Sequence, residues 1–176
     1  MRTETFLLKL LPVKPISLLA VALALLITGC SSSPGPGGGA TKVSFNTGDG
    51  IQLSGHLFGK GDVGVVLSHM RSADQESWWP FARVLKDKGY QVLAYDFRGY
   101  RDSQGELDIG NIDKDVQAAL DLLKSKGVSK VFLMGASMGG TASLKVASRE
   151  EVAGVITLSA PPAIEGLDAT ADVMTL

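Results

Sequence analysis

Residues 130–144 read Lys130-Val-Phe-Leu-Met-Gly-Ala-Ser-Met-Gly-Gly-Thr-Ala-Ser-Leu144. The run 131–134 is apolar and contains a β-branched and an aromatic residue, which predicts a strand buried on both faces of a parallel sheet. Glycines then flank Ser137, and residues 141–147 are predicted to be helical. The pattern therefore predicts a strand, a sharp turn and a helix, with Ser137 at the apex of the turn.

The spacing Gly135-x-Ser137-x-Gly139 matches the G-x-S-x-G elbow, in which a strained turn lifts a serine hydroxyl above a sheet. Glycines are needed because a side chain at the flanking positions would strike the neighbouring strand or helix. The turn aims the Ser137 hydroxyl at a helix N-terminus, where free N–H groups favour negative charge. Ser137 is thus predicted to be a nucleophile, and the Met138 N–H a donor to an oxyanion. A dinucleotide-binding loop fits less well, since the G-x-G opening is missing.

The first 29 residues have the pattern of a secretory signal. Arg2, Lys9 and Lys14 precede an apolar run at residues 16–27, and small residues follow that run. The run is too short for a spanning helix, which needs roughly 20 apolar residues. We therefore predict that residues 1–29 are removed.

The end of this signal, Ile27-Thr28-Gly29-Cys30, resembles the lipobox of bacterial lipoprotein precursors. The resemblance implies a diacylglyceryl group on the Cys30 thiol, cleavage before Cys30, and a stable membrane anchor. Ser31, rather than aspartate, follows the cysteine, as in the class sorted to the periplasmic face of the outer membrane in Gram-negative bacteria. Cys30 is the only cysteine, so the chain can form no intramolecular disulfide.

Residues 30–40 are rich in Ser, Pro and Gly and are predicted to be a linker, followed by one domain at residues 41–176. Removal of residues 1–29 leaves three more acidic than basic side chains. The remaining chain has no basic cluster, which argues against a nucleic-acid partner.

From residue 41 onward, short strands and helices alternate. Residues 42–58 predict an antiparallel hairpin with one exposed face, and strands are predicted at residues 63–67, 91–95 and 152–158. Ser77 is a predicted N-cap of a helix ending near Lys88, and a second helix is predicted to begin at Asn111 or Asp113. This alternation requires a mostly parallel sheet of about six strands covered on both sides.

The elbow, the preceding hairpin and the turn Asp96-Phe-Arg-Gly99 together resemble the N-terminal portion of an α/β-hydrolase, of the dienelactone-hydrolase and serine-aminopeptidase-like branch. The resemblance implies a three-layer α/β fold whose last two strands are absent from residues 41–176. It implies Ser137 as nucleophile, the N–H groups of Met138 and Arg71 as the oxyanion hole, and neither a cofactor nor a metal ion. The glycine that usually precedes this donor in the family is replaced by Met70.

The same resemblance assigns structural roles to several polar residues. His69 is expected to organise the loop after the third strand, and Asp96 and Arg98 to fix loops by hydrogen bonding. Independently of the resemblance, His56 is expected to face solvent, because it lies in a predicted hairpin strand with polar neighbours. Trp78 and Trp79 are candidates for a substrate pocket, although packing under the sheet is the preferred interpretation.

The rest of the catalytic apparatus is not evident. The family order is Ser, then Asp or Glu, then His, and no histidine follows Ser137. Asp168 and Asp172 are candidate acids, but they fit better as part of a connection between strands. We therefore expect a fragment of a longer hydrolase, inactive in this form, with an open apolar edge at residues 155–158.

The predicted activity is hydrolysis of small carboxylic esters or related acyl bonds through an acyl-Ser137 intermediate. Esterase, thioesterase and peptidase activities are not distinguished by these residues. The alternative from another class is a non-catalytic lipoprotein that uses its sheet as a binding module.

Overall fold

The computed structural model describes residues 35–173. The predicted signal peptide, Cys30 and most of the linker therefore lie outside the described residues. The first strand begins at Ala40, the last residue of the predicted linker.

Six strands form the main sheet, in the spatial order β1-β2-β4-β3-β5-β6. β1 pairs antiparallel with β2 and β2 with β4, whereas β3, β4, β5 and β6 are parallel. The predicted hairpin and mostly parallel sheet are confirmed. The strands are β1 (Ala40–Asn46), β2 (Gln52–Phe58), β3 (Val63–Ser68), β4 (Gln91–Tyr95), β5 (Lys130–Ala136) and β6 (Gly154–Leu158).

Three helices of nine or more residues cover the sheet within the described part of the chain. These are α1 (Trp79–Asp87), α2 (Asp113–Ser125) and α3 (Met138–Ala147). Short 3-10 helices, Gln75–Trp78 and Ile109–Asn111, precede α1 and α2. A short hairpin, β7 (Ala163–Ile164) and β8 (Leu167–Asp168), leads to α4 (Thr170–Val173).

Side chains of each central strand alternate between two apolar clusters, one on each face of the sheet. Val66, Leu93 and Leu133 point to the larger cluster, with side chains of α2 and α3. Val65 and Val92 point to the smaller cluster, with Trp79 and Ala82 of α1. The chain therefore forms three layers, with one helix on one face and two on the other.

Three local predictions differ from the structure. Ser77 lies inside the first 3-10 helix, and Asp74 caps that helix by accepting a hydrogen bond from the Glu76 N–H at 2.9 Å. The helix after the elbow begins at Met138, three residues earlier than predicted. β6 begins at Gly154 instead of residue 152. In each case local hydrogen bonds determine where the element begins, and the spacing of apolar residues does not predict these hydrogen bonds.

Among residues 35–173, no helix combines the length and the apolar character needed to cross a membrane.

Candidate active site

Ser137 occupies the turn between β5 and α3, and its backbone is strained. Its φ is 48° and its ψ is −123°, a region that costs a residue with a side chain about 1–3 kcal/mol. The turn is held because the Ser137 N–H donates to the Leu158 carbonyl at 2.9 Å, while its own carbonyl accepts from the Gly140 N–H at 2.9 Å. The elbow geometry that the spacing predicts is therefore present.

The glycines around Ser137 are required by close backbone contacts. A Cβ atom on Gly135 would lie 2.3 Å from the Gly139 carbonyl oxygen, and one on Gly139 would lie 2.5 Å from the Ser68 carbonyl oxygen. A Cβ on Gly140 would lie 2.6 Å from that of Ala160. These distances are shorter than van der Waals contact, so the predicted steric reason for the motif is confirmed.

The surroundings of the Ser137 hydroxyl suit a developing negative charge. Ser137 is half-buried, and its side chain makes no capping hydrogen bond to α3. The first N–H groups of a helix have no partner within the helix, and the Met138 N–H contacts no acceptor among residues 35–173. A free N–H group and the positive end of the helix dipole thus lie directly after the serine.

His69 lies in the loop after β3 and is completely buried. Its Nε2 accepts a hydrogen bond from the Phe97 N–H at 3.2 Å, so Nδ1 carries the proton and donates to the Met70 carbonyl at 2.8 Å. Burial lowers the pKa of this imidazole and favours its neutral form. With both nitrogens occupied, His69 organises the loop, as expected, and is not free to take a proton from Ser137.

Arg71 lies in the same loop, with its side chain at the surface. Its guanidinium forms a two-pronged ion pair with Glu165, including an Nη1 to Oε1 contact of 2.5 Å, and the Tyr100 hydroxyl donates to the Arg71 carbonyl at 2.7 Å. Glu165 is in the β7–β8 turn and has a φ of 44°. Because both side chains are about half exposed to solvent, which screens their charges, this pair adds little to stability. Its contacts connect the loop after β3 to the β7–β8 turn.

Asp96 and Arg98 hold the loops next to this site, as the resemblance implied. Asp96 is fully buried and accepts hydrogen bonds from the backbone and side-chain N–H groups of Gln75, at 2.9 and 2.5 Å. Arg98 binds Asp115 of α2 and Asp49 of the β1–β2 turn, with closest contacts of 2.6 and 3.0 Å. Arg98 therefore joins three segments that are distant in the chain.

The prediction for His56 was wrong, because this side chain is half-buried. Its Nδ1 donates to the Gln75 side-chain oxygen at 2.8 Å, and its ring packs edge-on against Trp79 at 5.2 Å. Gln75 lies in the 3-10 helix before α1 and Trp79 is the first residue of α1, and the strand pattern of β2 could not reveal these contacts. His56 belongs to the network around Asp96 and makes no hydrogen bond to Ser137.

Of the two candidate acids, Asp168 makes no hydrogen bond to either histidine. Asp168 is exposed on β8, and its carboxylate accepts from the Thr170 N–H at 2.8 Å. Hydrogen bonding by the Thr170 side chain, and then by this N–H group, lowers the pKa of the carboxyl group. Asp172 lies in α4, and its side chain is outside what the structure describes. Asp168 thus caps a local turn, which agrees with the preferred interpretation of this segment as a connection. Cys30, the predicted lipidation site, lies outside the described residues.

A cavity of about 170 Å³ adjoins the elbow, lined by Met70, Ser77, Trp78, Ala136 and Leu158. Trp79 instead packs under the sheet and is 6% exposed. Trp78 therefore lines the cavity next to the elbow, whereas Trp79 belongs to the core. Within residues 35–173, no three His, Cys, Asp or Glu side chains cluster as metal ligands.

Gln75, Tyr100, Asp115 and Glu165 support the site but were not found from the sequence. Of these, Asp115 could have been suspected as a partner of Arg98, because it is an acidic residue in the first turn of the helix that follows the Asp96-x-Arg98 turn. Glu165 contacts a residue 94 positions away in the chain, and no sequence pattern connects the two.

Comparison with known proteins identifies the same architecture. Residues 65–173 match the model of the family described as having the alpha/beta hydrolase fold. The chain is 32% identical over 114 residues to the serine hydrolase BPHL of Homo sapiens, covering 62% of this chain and 38% of that protein. It is 30% identical over 107 residues to a carboxylesterase of Bacillus subtilis, covering 59% and 44%.

Among solved structures, the esterase Pf2001 of Pyrococcus furiosus superposes with a TM-score of 0.65 at 27% identity, covering 69% of this chain and 52% of that one. The chain is also 25% identical over 126 residues to the uncharacterized protein YfhR of Escherichia coli, covering 66% of this chain and 44% of that protein. The chain thus spans less than half the length of these curated relatives. The family match covers well over half of this chain, and the chain belongs to the α/β-hydrolase family.

Proposed function

We propose that this chain carries the nucleophile and oxyanion hole of a serine hydrolase acting on small carboxylic esters or related acyl bonds. The observation that carries the proposal is the strained backbone of Ser137, with a φ of 48°, at the start of α3. Strain of this kind persists only where surrounding structure enforces it, and it is concentrated at functional sites. The esterase and serine hydrolase among its relatives support the same reaction class.

In this mechanism the Ser137 oxygen attacks the acyl carbon of the ester. The resulting oxyanion accepts hydrogen bonds from the N–H groups of Met138 and Arg71 and is stabilised by the N-terminus of α3. Collapse of this intermediate expels the alcohol and leaves an acyl group on Ser137, which water then removes. The apolar cavity beside Ala136 is suited to the acyl chain.

The general base is the missing component. A serine is a weak nucleophile unless a base accepts its proton. The sequence has two histidines, and His69 uses both ring nitrogens while His56 is bound to Gln75. Neither histidine is therefore free to take the Ser137 proton. We propose that residues 1–176 alone show only the roughly 10³–10⁴-fold enhancement over water that a site without its base retains.

The test is labelling by a fluorophosphonate probe of the protein encoded by the whole gene, read beyond codon 176. We expect Ser137→Ala to abolish the labelling. Ser125→Ala, which removes a surface hydroxyl at the far end of α2, should leave it unchanged. If the whole protein is not labelled, or if labelling persists in Ser137→Ala, the proposed nucleophile is wrong.

The proposed location is the bacterial cell envelope, with the chain anchored through lipid on Cys30. The support is the Ile27-Thr28-Gly29-Cys30 sequence followed by a Ser, Pro and Gly linker. We expect Cys30→Ala to release the protein and to abolish incorporation of radioactive palmitate. Palmitate labelling that persists in this variant would exclude Cys30 as the lipidated residue.

A further inference from the structure

The two ends of the parallel strands form opposite edges of the sheet. Val63 of β3 pairs with Lys130 of β5, and Gly64 pairs with Gln91 of β4, so these strands start at one edge. We call it the amino edge and define it as residues 39–40, 58–63, 86–91 and 126–130. Ser137 lies at the other edge, about 20 Å away along a six-residue strand.

The chain enters the domain at the amino edge. Ala40 pairs with Phe58, and Phe58 pairs with Val92 near the start of β4. The preceding residues lie along α1, where Lys86 Nζ is 3.0 Å from the Gly38 carbonyl oxygen and Arg83 Nη1 is 3.3 Å from that of Gly35. The last residues of the linker are therefore fixed against the domain.

Four lysines without carboxylate partners lie at this edge. Each of the turns leading into β3, β4 and β5 contributes one, and the fourth begins β5. All four are exposed, and none lies within 4.0 Å of a carboxylate among the described residues; they are Lys60, Lys88, Lys126 and Lys130. Two of them line a cleft of about 600 Å³ that also contains Gly39, where the linker ends.

The acidic groups at this edge do not cancel these lysines. Asp87 lies 3.9 Å from Lys86, which leaves Asp62, together with Glu151 just before β6, as the free carboxylates nearby. Beside the Ser137 edge, by contrast, Arg71 and Arg101 are each paired with a carboxylate. The excess positive charge of the folded domain is thus concentrated where the linker enters it, although residues 30–176 are acidic as a whole.

We propose that the amino edge lies on an anionic phospholipid surface, with these four lysines contacting lipid phosphates. The orientation rests on the proposed anchoring at Cys30. Gly35 is the fifth residue after Cys30, so an extended chain allows at most about 18 Å between them. A basic residue close to an anionic leaflet strengthens binding by about fivefold. The contact turns Ser137 toward the aqueous phase.

The test is lysine footprinting of the whole chain reconstituted on vesicles. The vesicles consist of phosphatidylcholine alone or of phosphatidylcholine with phosphatidylglycerol, and an amine-reactive ester labels exposed lysines for mass spectrometry. We expect labelling of the four lysines to fall by about threefold or more on the anionic vesicles. It should recover at about 1 M salt, where the Debye length is about 3 Å. Lys114, which binds Asp49 beside the opposite edge, is the internal control and should not change.

A pair of matched variants tests whether the charges cause the protection. Lys60→Gln combined with Lys126→Gln should restore labelling of Lys88 and Lys130, whereas Lys42→Gln combined with Lys114→Gln should not. Self-association of the chain would reduce labelling on both vesicle types equally. Equal labelling on the two vesicle types, or a chain that fails to float with the anionic vesicles, would overturn the proposal. Palmitate incorporation, measured separately, distinguishes a failure of anchoring at Cys30 from a failure of this lysine contact.

Discussion

Ser137 adopts its strained backbone only because the residues beside it have no side chains. The Gly135 and Gly139 positions face backbone oxygens of Gly139 and Ser68, which cannot move without displacing α3 or β3. A methyl group at either position would therefore displace the backbone of α3 or β3 through van der Waals repulsion. The same closeness places the N-terminus of α3 directly after the serine.

We predict that Gly135→Ala destabilises the domain by about 2 kcal/mol, the range typical of an extra methyl group forced into a packed site. Urea unfolding measures the change. Gly48→Ala is the matched control, because nothing lies within 4 Å of a Cβ at that position, and we expect a change below about 0.5 kcal/mol. Equal effects of the two substitutions would contradict the steric explanation of the elbow.

Residues of the site differ in how far the sequence predicted them. The elbow was predictable because Gly135 contacts Gly139, only four positions later in the chain. Such a local contact requires glycines at a fixed spacing, which is visible in the sequence. His69 and Arg98 were recognised through a resemblance, and their contacts agree with it. His56 and Glu165 depend on partners brought together only by the folded chain, namely Gln75 and Arg71. No local pattern records such contacts.

At the scale of elements, Asp96 connects the end of β4 to the 3-10 helix before α1. Its carboxylate accepts two hydrogen bonds from Gln75, and the Ser103 hydroxyl donates to its carbonyl at 2.6 Å. The residue is fully buried without a cation bound to it, and burial raises the pKa of this carboxyl group to about 6. The protonation state of the carboxyl group that joins these elements therefore changes near pH 6.

We predict that the stability of the domain depends on the protonation of Asp96. Because the folded-state pKa is above the unfolded value of 3.8, the folded state holds this proton more tightly. The resulting stabilisation is complete below pH about 4 and is lost as pH rises through about 6, a change of about 3 kcal/mol. Urea unfolding across this range should show this decline in the wild-type protein relative to Asp96→Asn.

Asp87→Asn, which removes an exposed carboxyl group from the end of α1, is the control for the pH series. Its stability should follow the wild-type protein at each pH. If the wild-type protein and Asp96→Asn have parallel pH profiles, Asp96 is not the linked group.

Elements with strong periodicity were predicted well, whereas those defined by single hydrogen bonds were not. The six strands of the sheet and the three longer helices follow from alternating or helical spacing of apolar residues. The β7–β8 hairpin has two residues in each strand, too few for any period to show. The cap at Asp74 was missed because a 3-10 helix precedes α1, so that the helical segment begins at Gln75, before Ser77.

At the scale of the whole molecule, the two outer strands of the sheet differ in character. β1 exposes Thr41, Lys42 and Ser44, polar side chains that discourage pairing with another chain. β6 exposes Ile156 and Leu158, each 46% accessible, and among the described residues it is the strand at the opposite edge. An apolar strand with one free row of backbone hydrogen-bonding groups favours edge-to-edge association.

We therefore predict that the chain from Cys30 onward associates in a concentration-dependent way, and that Ile156→Lys reduces this association. A lysine at the centre of β6 places like charges opposite each other in any pairing of two such strands, and it shortens the apolar row. Sedimentation velocity over a range of concentrations measures the effect. Val84→Lys introduces the same charge on α1, where the native side chain is 49% exposed, and should leave association unchanged. A wild-type chain that stays monomeric at every concentration, or equal effects of the two lysines, would show that the β6 edge does not drive association.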